Sequence, residues 1–252
     1  IGRITNIVGD KSTGKTLLGI EACANFAMKY PKGSIWYHES EAAFDIPYAE
    51  TLGLPSERIE FVEGDTIGSL FNSLDEKIKK FEKSSEPGLY IVDSLDAFTD
   101  EAEKKKDIDA GSFGTSKAKQ LSELFRRLTG DIKKSKITII IISQIRDKVG
   151  VTFGEKYTRA GGHALDFYAS QVVWLSEMSK IKETIRGITR PTGVLIKAKC
   201  KKNKVGMPFR ECEFPVMFNY GVDDILASLE WLKTVNALDE LGIANRLLER
   251  TA

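Results

Sequence analysis

Between the apolar run Ile4–Val8 and the helical pattern of Lys15–Lys29 the chain reads GDKSTGKT, from Gly9 to Thr16. No other feature restricts the possible folds as strongly. A strand that ends in a G-x-x-x-x-G-K-T loop and opens into a helix turns backbone N–H groups toward one point, where the helix N-terminus adds positive potential. The ligand that suits this is a polyphosphate. Gly9, Asp10, Lys11, Ser12, Thr13, Gly14, Lys15, Thr16 and Leu17 would form the cradle, with Lys15 on the terminal phosphates and the Thr16 hydroxyl on Mg²⁺. A chance glycine turn does not account for strand, loop and helix in the required order. Nucleoside triphosphate binding is the expectation.

The rest of the chain supplies a sheet to carry that loop. Short apolar runs predict strands at Ile4–Val8, Ile35–His38, Ile59–Val62, Leu89–Val92 and Ile137–Ile142, then Gln171–Leu175, Val194–Ala198 and Arg210–Phe214. Helical patterns lie between the early ones, at Lys15–Lys29, Ala43–Leu52, Ile67–Glu82 and Ser116–Lys134. Strands apolar on both faces and alternating with helices predict an α/β fold with a mainly parallel sheet flanked by helices on both faces. The last three strand candidates have no long helix between them, so antiparallel strands are expected at one end. The C-terminal stretch after Val222 has helical periodicity and predicts two helices. With 252 residues and 42% hydrophobic content, one domain over 1–252 is the reading.

Four further positions fit nucleotide chemistry. Asp93 ends the strand of GLYIVDSLDAF, where a carboxylate can hold Mg²⁺ from across the loop. Glu39 and Glu41 follow another strand onto the ligand-binding edge, where a carboxylate could activate water. Spacing alone does not separate them from solvated loop acids. Gln144 closes ITIIIISQ, and its amide could sense a terminal phosphate, although a strand-end glutamine bound to water explains the residue equally well. Two histidines, His38 and His163, and no CxxC pair leave no zinc-type spacing. No G-x-S-x-G elbow is present.

The stretch from Ser143 to Phe167, SQIRDKVGVTFGEKYTRAGGHALDF, is long, polar and glycine-containing, yet it follows a buried strand directly. Connections of that length are uncommon and usually functional or disordered. It is also where a family resemblance becomes specific. GDKSTGKTLL, ESEAAFDIPYAETLG, YIVDSLDAF and SQIRDKVGVTFGEKYTRAGGHALDFYAS, in that order, resemble the RecA family of strand-exchange ATPases, and KCKKNKVGMPFRECEF continues the match.

The resemblance implies a RecA-like P-loop NTPase core using ATP and Mg²⁺, with roles residue by residue. Glu41 falls at the catalytic carboxylate that activates water. Asp45 and Tyr48 fall at the adenine contacts, Tyr48 by stacking. Gln144 matches the γ-phosphate sensor that opens the second DNA-binding loop. Phe167 matches an aromatic that relays nucleotide state to the neighbouring subunit. Lys202 and Lys204 match paired lysines that reach the neighbour's ATP. The first DNA-binding loop should lie at Asp107–Thr115, without single base contacts assigned. The N-terminal polymerisation segment and C-terminal DNA-gathering domain of the family are not evident in the sequence.

The function expected on this basis is an ATP-dependent DNA recombinase core that binds single-stranded DNA, pairs it with homologous duplex DNA, and self-associates into a helical filament. Arg146, Lys148, Lys156 and Arg159 would meet phosphates. Val149, Val151 and Phe153 would wedge between bases, with Gly150 in the loop and Gly161 and Gly162 as its far hinge. The alternatives are a core-only annealing or mediator protein using ATP as a switch, and a hexameric helicase-like motor, against which lysines rather than arginines in KKNK argue. A net charge of +1 argues against wholesale electrostatic capture by nucleic acid or membrane but leaves room for a local basic groove, since steering depends on where charge sits. Three scattered cysteines suit a reducing cytoplasm, no apolar run approaches the ~20 residues of a membrane span, and the resemblance implies the cytoplasm of a bacterial or phage-infected cell.

Overall fold

The computed structural model describes residues 1–41, 44–100, 114–147, 157–159 and 161–237, with backbone only at 114, 115, 146, 147 and 162. By internal contacts the chain divides into two compact units, Ile1–Leu175 with Lys199–Arg210, and Ser176–Ala198 with Glu211–Ala252.

The first unit is built on parallel strands. β1 (Ile4–Gly9), β2 (Ser34–Glu39), β3 (Ile59–Val62), β4 (Gly88–Asp93), β5 (Ile137–Gln144) and the opening of β8 (Gln171–Ile185) stand in the order β8-β1-β5-β4-β2-β3. Two short strands, β6 (Arg146–Asp147) and β7 (Tyr157–Thr158), pair apart from this sheet. The register sets Gly9 beside Gln144 and Glu39 beside Asp93. Strand ends that carry the expected chemistry therefore share one edge of the sheet.

Helices α1 (Lys15–Lys29), α2 (Ile46–Thr51), α3 (Ile67–Phe81), α4 (Gly114–Ser135) and α5 (Gly162–Tyr168) follow the strands. Alternate side chains of each central strand enter different cores. Tyr90, Val92, Ile137, Ile139 and Ile141 pack with Leu70, Leu74 and Ile78 of α3 and with Leu124, Phe125 and Leu128 of α4. Leu89, Ile91 and Ile142 pack instead with Ile20, Cys23, Ala24 and Ala27 of α1. That is why these strands read as unbroken apolar runs. Ile139 is fully buried, and cutting such a side chain to Ala costs about 2–5 kcal/mol. At the opposite edge the connections are turns, Tyr30–Gly33, Glu82–Pro87 and Lys136.

The expected α/β class, with its mainly parallel sheet and antiparallel strands at one end, is what the structure has. α2 differs from the expected Ala43–Leu52. It starts at Ile46, because the Asp45 side chain caps it by accepting the Tyr48 N–H at 2.9 Å and Pro47 fits its first turn.

In the second unit the order is β11-β10-β9-β8, with β9 (Ile188–Asn203) up to Ala198, β8 from Ser176, β10 (Glu211–Met217), β11 (Gly221–Val222) and α6 (Asp224–Thr234). β8 and β9 run well beyond the expected Gln171–Leu175 and Val194–Ala198. They join through Arg186 and Gly187, with φ 52 and 79, the left-handed pair that a two-residue hairpin turn needs. Thr184 and Thr189 hydroxyls bond across it at 2.9 Å. β10 and β11 pair antiparallel, and Lys197 meets Glu211 at 2.9 Å. Asp223 caps α6 through the Leu226 N–H. The second expected C-terminal helix lies outside the described residues.

Candidate functional site

A cleft of about 440 Å³ opens at the shared strand edge, lined by Lys11 to Leu17 with Glu41, Asp93 and Gln144. The loop from Gly9 to Thr16 is tightly wound. Ser12 and Gly14 take left-handed φ of 59 and 77, and Gly14 is the N-cap of α1. A Cβ at Gly9 would lie 2.4 Å from Thr13 Oγ1, so only glycine lets the loop fold back over the strand end. The Thr13 hydroxyl donates to the Asp10 carbonyl at 2.9 Å, and Lys15 Nζ donates to the same carbonyl at 2.6 Å.

Lys15 is 8% exposed. Burial pushes its ammonium below the ordinary lysine value, against the pull of Asp93, Glu41, Asp10 and Asp96. Across the cleft, burial raises the Asp93 carboxyl and Glu41 adds to the rise, opposed by hydrogen bonds from Tyr37 and Thr16 and by the Lys15 charge. Tyr37 Oη donates to Asp93 Oδ2 at 2.8 Å, and burial with the adjacent Asp93 raises the phenol well above its usual value. Both ions are thus disfavoured by desolvation more than they are repaid by each other. A ligand carrying negative oxygens and a hard cation would relieve both. The Thr16 hydroxyl and the Asp93 carboxylate are a suitable oxygen pair for such a cation, which keeps much of its shell as water and ligand oxygen. Among the described residues no group of three or more His, Cys, Asp or Glu could hold a metal by itself.

The two acids at the end of β2 and just beyond it are distinguished by the structure. Glu39 accepts the Phe44 N–H at 3.2 Å and so serves the turn into α2. Glu41 enters the cleft. Its Oε1 accepts Gln144 Nε2 at 2.8 Å and the Ser94 hydroxyl. Ser94 follows Asp93 across a cis peptide bond. The Gln144 backbone N–H donates to Asp96 Oδ2 at 2.7 Å. Tyr37, Ser94 and Asp96 are contributors that the sequence reading did not single out; Ser94 and Asp96 stand in the quoted YIVDSLDAF, within three residues of Asp93, which was the available signal.

Asp45 and Tyr48 are not among the residues lining the cleft. Asp45 caps α2, and Tyr48 is half-buried, its phenol raised by burial and by Glu21.

A second cluster gathers at the end of α5. Phe167 is 70% exposed. Lys202 Nζ donates to the carbonyls of Asp166 and Phe167, and Lys204 Nζ donates to that of Phe167 at 3.1 Å. The two ammoniums therefore satisfy carbonyls that a helix C-terminus leaves unpaired. Burial and the neighbouring Lys204 push Lys202 below the ordinary lysine value. Phe167, Lys202 and Lys204, far apart in sequence, are brought together.

Of the residues expected to meet DNA, Lys148, Val149, Gly150, Val151, Phe153 and Lys156 lie outside the described residues, as does most of Asp107–Thr115, whose last two residues begin α4. Arg146 and Gly162 are described in backbone. Arg146 and Asp147 pair antiparallel with Thr158 and Tyr157, drawing the ends of that stretch together. Gly161, with φ 64, is the N-cap of α5. Arg159 is a correction. Its side chain is 5% exposed, paired with Asp166 at 2.6 Å and donating to Asn6 Oδ1 at 2.8 Å, so its guanidinium is not offered to a phosphate from this position.

The chain matches the family RecA N-terminal domain over residues 1–223. It is 34% identical, over 96% of its length, to Protein RecA of several Prochlorococcus marinus strains, including SARG and AS9601. It spans 61% and 63% of those two proteins. No helix among the described residues is long and apolar enough to cross a membrane. With a family match over residues 1–223 and 34% identity along nearly its whole length, the chain belongs to the RecA family.

Proposed function

We propose that residues 1–252 work as an ATP-dependent DNA recombinase core, binding single-stranded DNA together with ATP and Mg²⁺ and pairing it with homologous duplex. The observation that carries this is the 2.8 Å bond from Gln144 Nε2 to Glu41 Oε1. It joins the carboxylate best placed to activate water to Gln144, second residue of the Ser143–Phe167 stretch. A change at the cleft then alters what holds the start of that stretch, which is the kind of local contact that order-to-disorder switches use.

When bound, ATP–Mg²⁺ would supply the phosphoryl group and fill the cleft between Lys15, Glu41 and Asp93. The Gly9–Thr16 loop and Lys15 bind its phosphates, releasing Lys15 from the Asp10 carbonyl. Thr16 and Asp93 hold the cation. Glu41, oriented by Ser94 and Gln144, accepts a proton from water. Asp45 and Tyr48 take the base. Arg146, Lys148 and Lys156 meet DNA phosphates, Val149, Val151 and Phe153 separate bases, and Gly150, Gly161 and Gly162 give the stretch its freedom. Lys202, Lys204 and Phe167 face a neighbouring copy in a helical filament, where the lysines exchange the Phe167 carbonyl for that copy's nucleotide. The setting is the cytoplasm of a bacterial or phage-infected cell.

Phosphate release with and without single-stranded DNA, and electron microscopy with a non-hydrolysable ATP analogue, test the reading. DNA-stimulated turnover and helical filaments are expected. Small discrete complexes with slight turnover would replace it by the annealing or mediator protein, and closed rings by the motor.

A further inference from the structure

Asn6 is fully buried on β1, in the strand that ends at Gly9. Its Nδ2 donates to the Ile141 carbonyl and to Ser143 Oγ, both at 2.9 Å. Its Oδ1 accepts Arg159 Nε at 2.8 Å. One amide therefore holds the residue before Gln144 and a residue near the far end of the same stretch. From Arg159 the contacts continue. Nη2 donates to Asp166 Oδ1 at 2.6 Å, and the guanidinium lies 5.6 Å from the Trp174 ring centroid. Trp174 is beside Val8 of β1. The Asp166 carbonyl accepts Lys202.

A guanidinium at 5% exposure is strongly unfavourable unless its donors are matched. Here an amide oxygen, a carboxylate and an aromatic face all converge on it, which is the planar, forked recognition that arginine provides and lysine does not. A phosphate contact requires the opposite arrangement, a cation open to solvent. We propose that Arg159 is a positioning residue: through Asn6 it ties the far root of the Ser143–Phe167 stretch to the amide that holds the near root, and through Asp166 it ties α5, with Phe167, to the strand of the Gly9–Thr16 loop. The consequence for DNA rests on reading that stretch as DNA-contacting; the tether itself does not.

The experiment has two arms on the full chain. In the first, without nucleotide or DNA, amide hydrogen exchange is followed at Leu165 and Ala169, whose N–H groups bond to Gly161 and Leu165 carbonyls. Arg159→Gln is expected to speed exchange there roughly tenfold, the scale of one lost charged bond, with Ile91 of β4 unchanged. Asp166→Ala moves it the same way, and the double variant is no faster than Arg159→Gln. In the second arm, single-stranded DNA affinity with a non-hydrolysable ATP analogue is measured against salt. Arg159→Lys is expected to bind as weakly as Arg159→Gln, both with the wild-type salt slope. Unchanged exchange, additive effects, wild-type affinity in Arg159→Lys, or a slope shallower by roughly 0.7 would overturn the proposal. If the wild-type chain binds no DNA, the recombinase reading fails while the exchange arm still decides the tether. If Arg159→Gln does not fold, Arg159→Lys and Asp166→Ala carry both arms.

Discussion

Lys15 and the pair Lys202–Lys204 make the same bond in opposite surroundings. Each ammonium donates to a backbone carbonyl, Lys15 to that of Asp10 and the pair to that of Phe167. Lys15 lies in a cleft with Asp93 and Glu41, at 8% exposure, while the pair covers a helix end beside a phenylalanine left 70% open. The difference separates two tasks. A buried ammonium with a lowered pKa is held at a cost and gains most from a ligand that arrives in the same chain. A half-buried Lys202, lowered by partial burial and by the exposed Lys204 beside it, sits on helix-end carbonyls and has little to gain until something covers Phe167.

The comparison breaks most sharply at Lys15. Lys15→Ala should remove at least ~10²–10³-fold of ATP turnover, the usual loss of a preorganised charge on a reacting phosphoryl group, as phosphate release would show. Glu41→Gln should lower turnover about 10²–10⁴-fold while keeping nucleotide binding in equilibrium titration, since the amide oxygen still accepts Gln144 and Ser94. Lys202→Ala and Lys204→Ala should leave the melting temperature and nucleotide affinity of dilute chain near wild type. Their turnover should fall only at concentrations where copies associate, so equal loss at all concentrations would erase the distinction between the two lysine sites.

Stability supplies the smaller effects. The Asp93 carboxyl is raised in the folded chain, so between its unfolded and folded values the native state binds the extra proton and stability falls as pH rises. At neutral pH the ionised form is therefore a burden, and Asp93→Asn should raise the melting temperature without nucleotide while abolishing Mg²⁺-dependent turnover. His38 is opposite in sign. Burial lowers its pKa against the bond to the Gly64 carbonyl, so the unfolded chain takes up a proton first, and stability declines as pH falls through about 6.5. His38→Gln should flatten that decline in denaturant titrations at pH 5 to 7.

How much of this the residue pattern revealed depends on the distance between partners. Ile137–Ile142 and Gly9–Thr16 were legible because their meaning is local: an apolar run buried on both faces, and a loop whose chemistry follows from its own glycines. The β8–β9 hairpin was underestimated because beyond Leu175 it is polar and exposed, and strand reading by apolar runs stops there; Arg186–Gly187 was the turn signal that remained. Arg159 was misread for a different reason. Basic residues in a polar stretch look solvated, and nothing near it names Asn6, on another strand, as the group that buries it. Lys202 and Lys204 looked like an exposed turn and gained meaning only from resemblance. Glu41 and Glu39 could not be separated by spacing; the Phe44 N–H separates them.

Because every parallel strand of the first unit delivers its working end to one edge, the other edge is left with short turns at Tyr30–Gly33, Glu82–Pro87 and Lys136. Ser85, exposed in the middle of the second of these, is a place to attach a dye or splice in a tag without touching the cleft or the Ser143–Phe167 stretch. The fold thus provides a handle by which single molecules could be watched while they work.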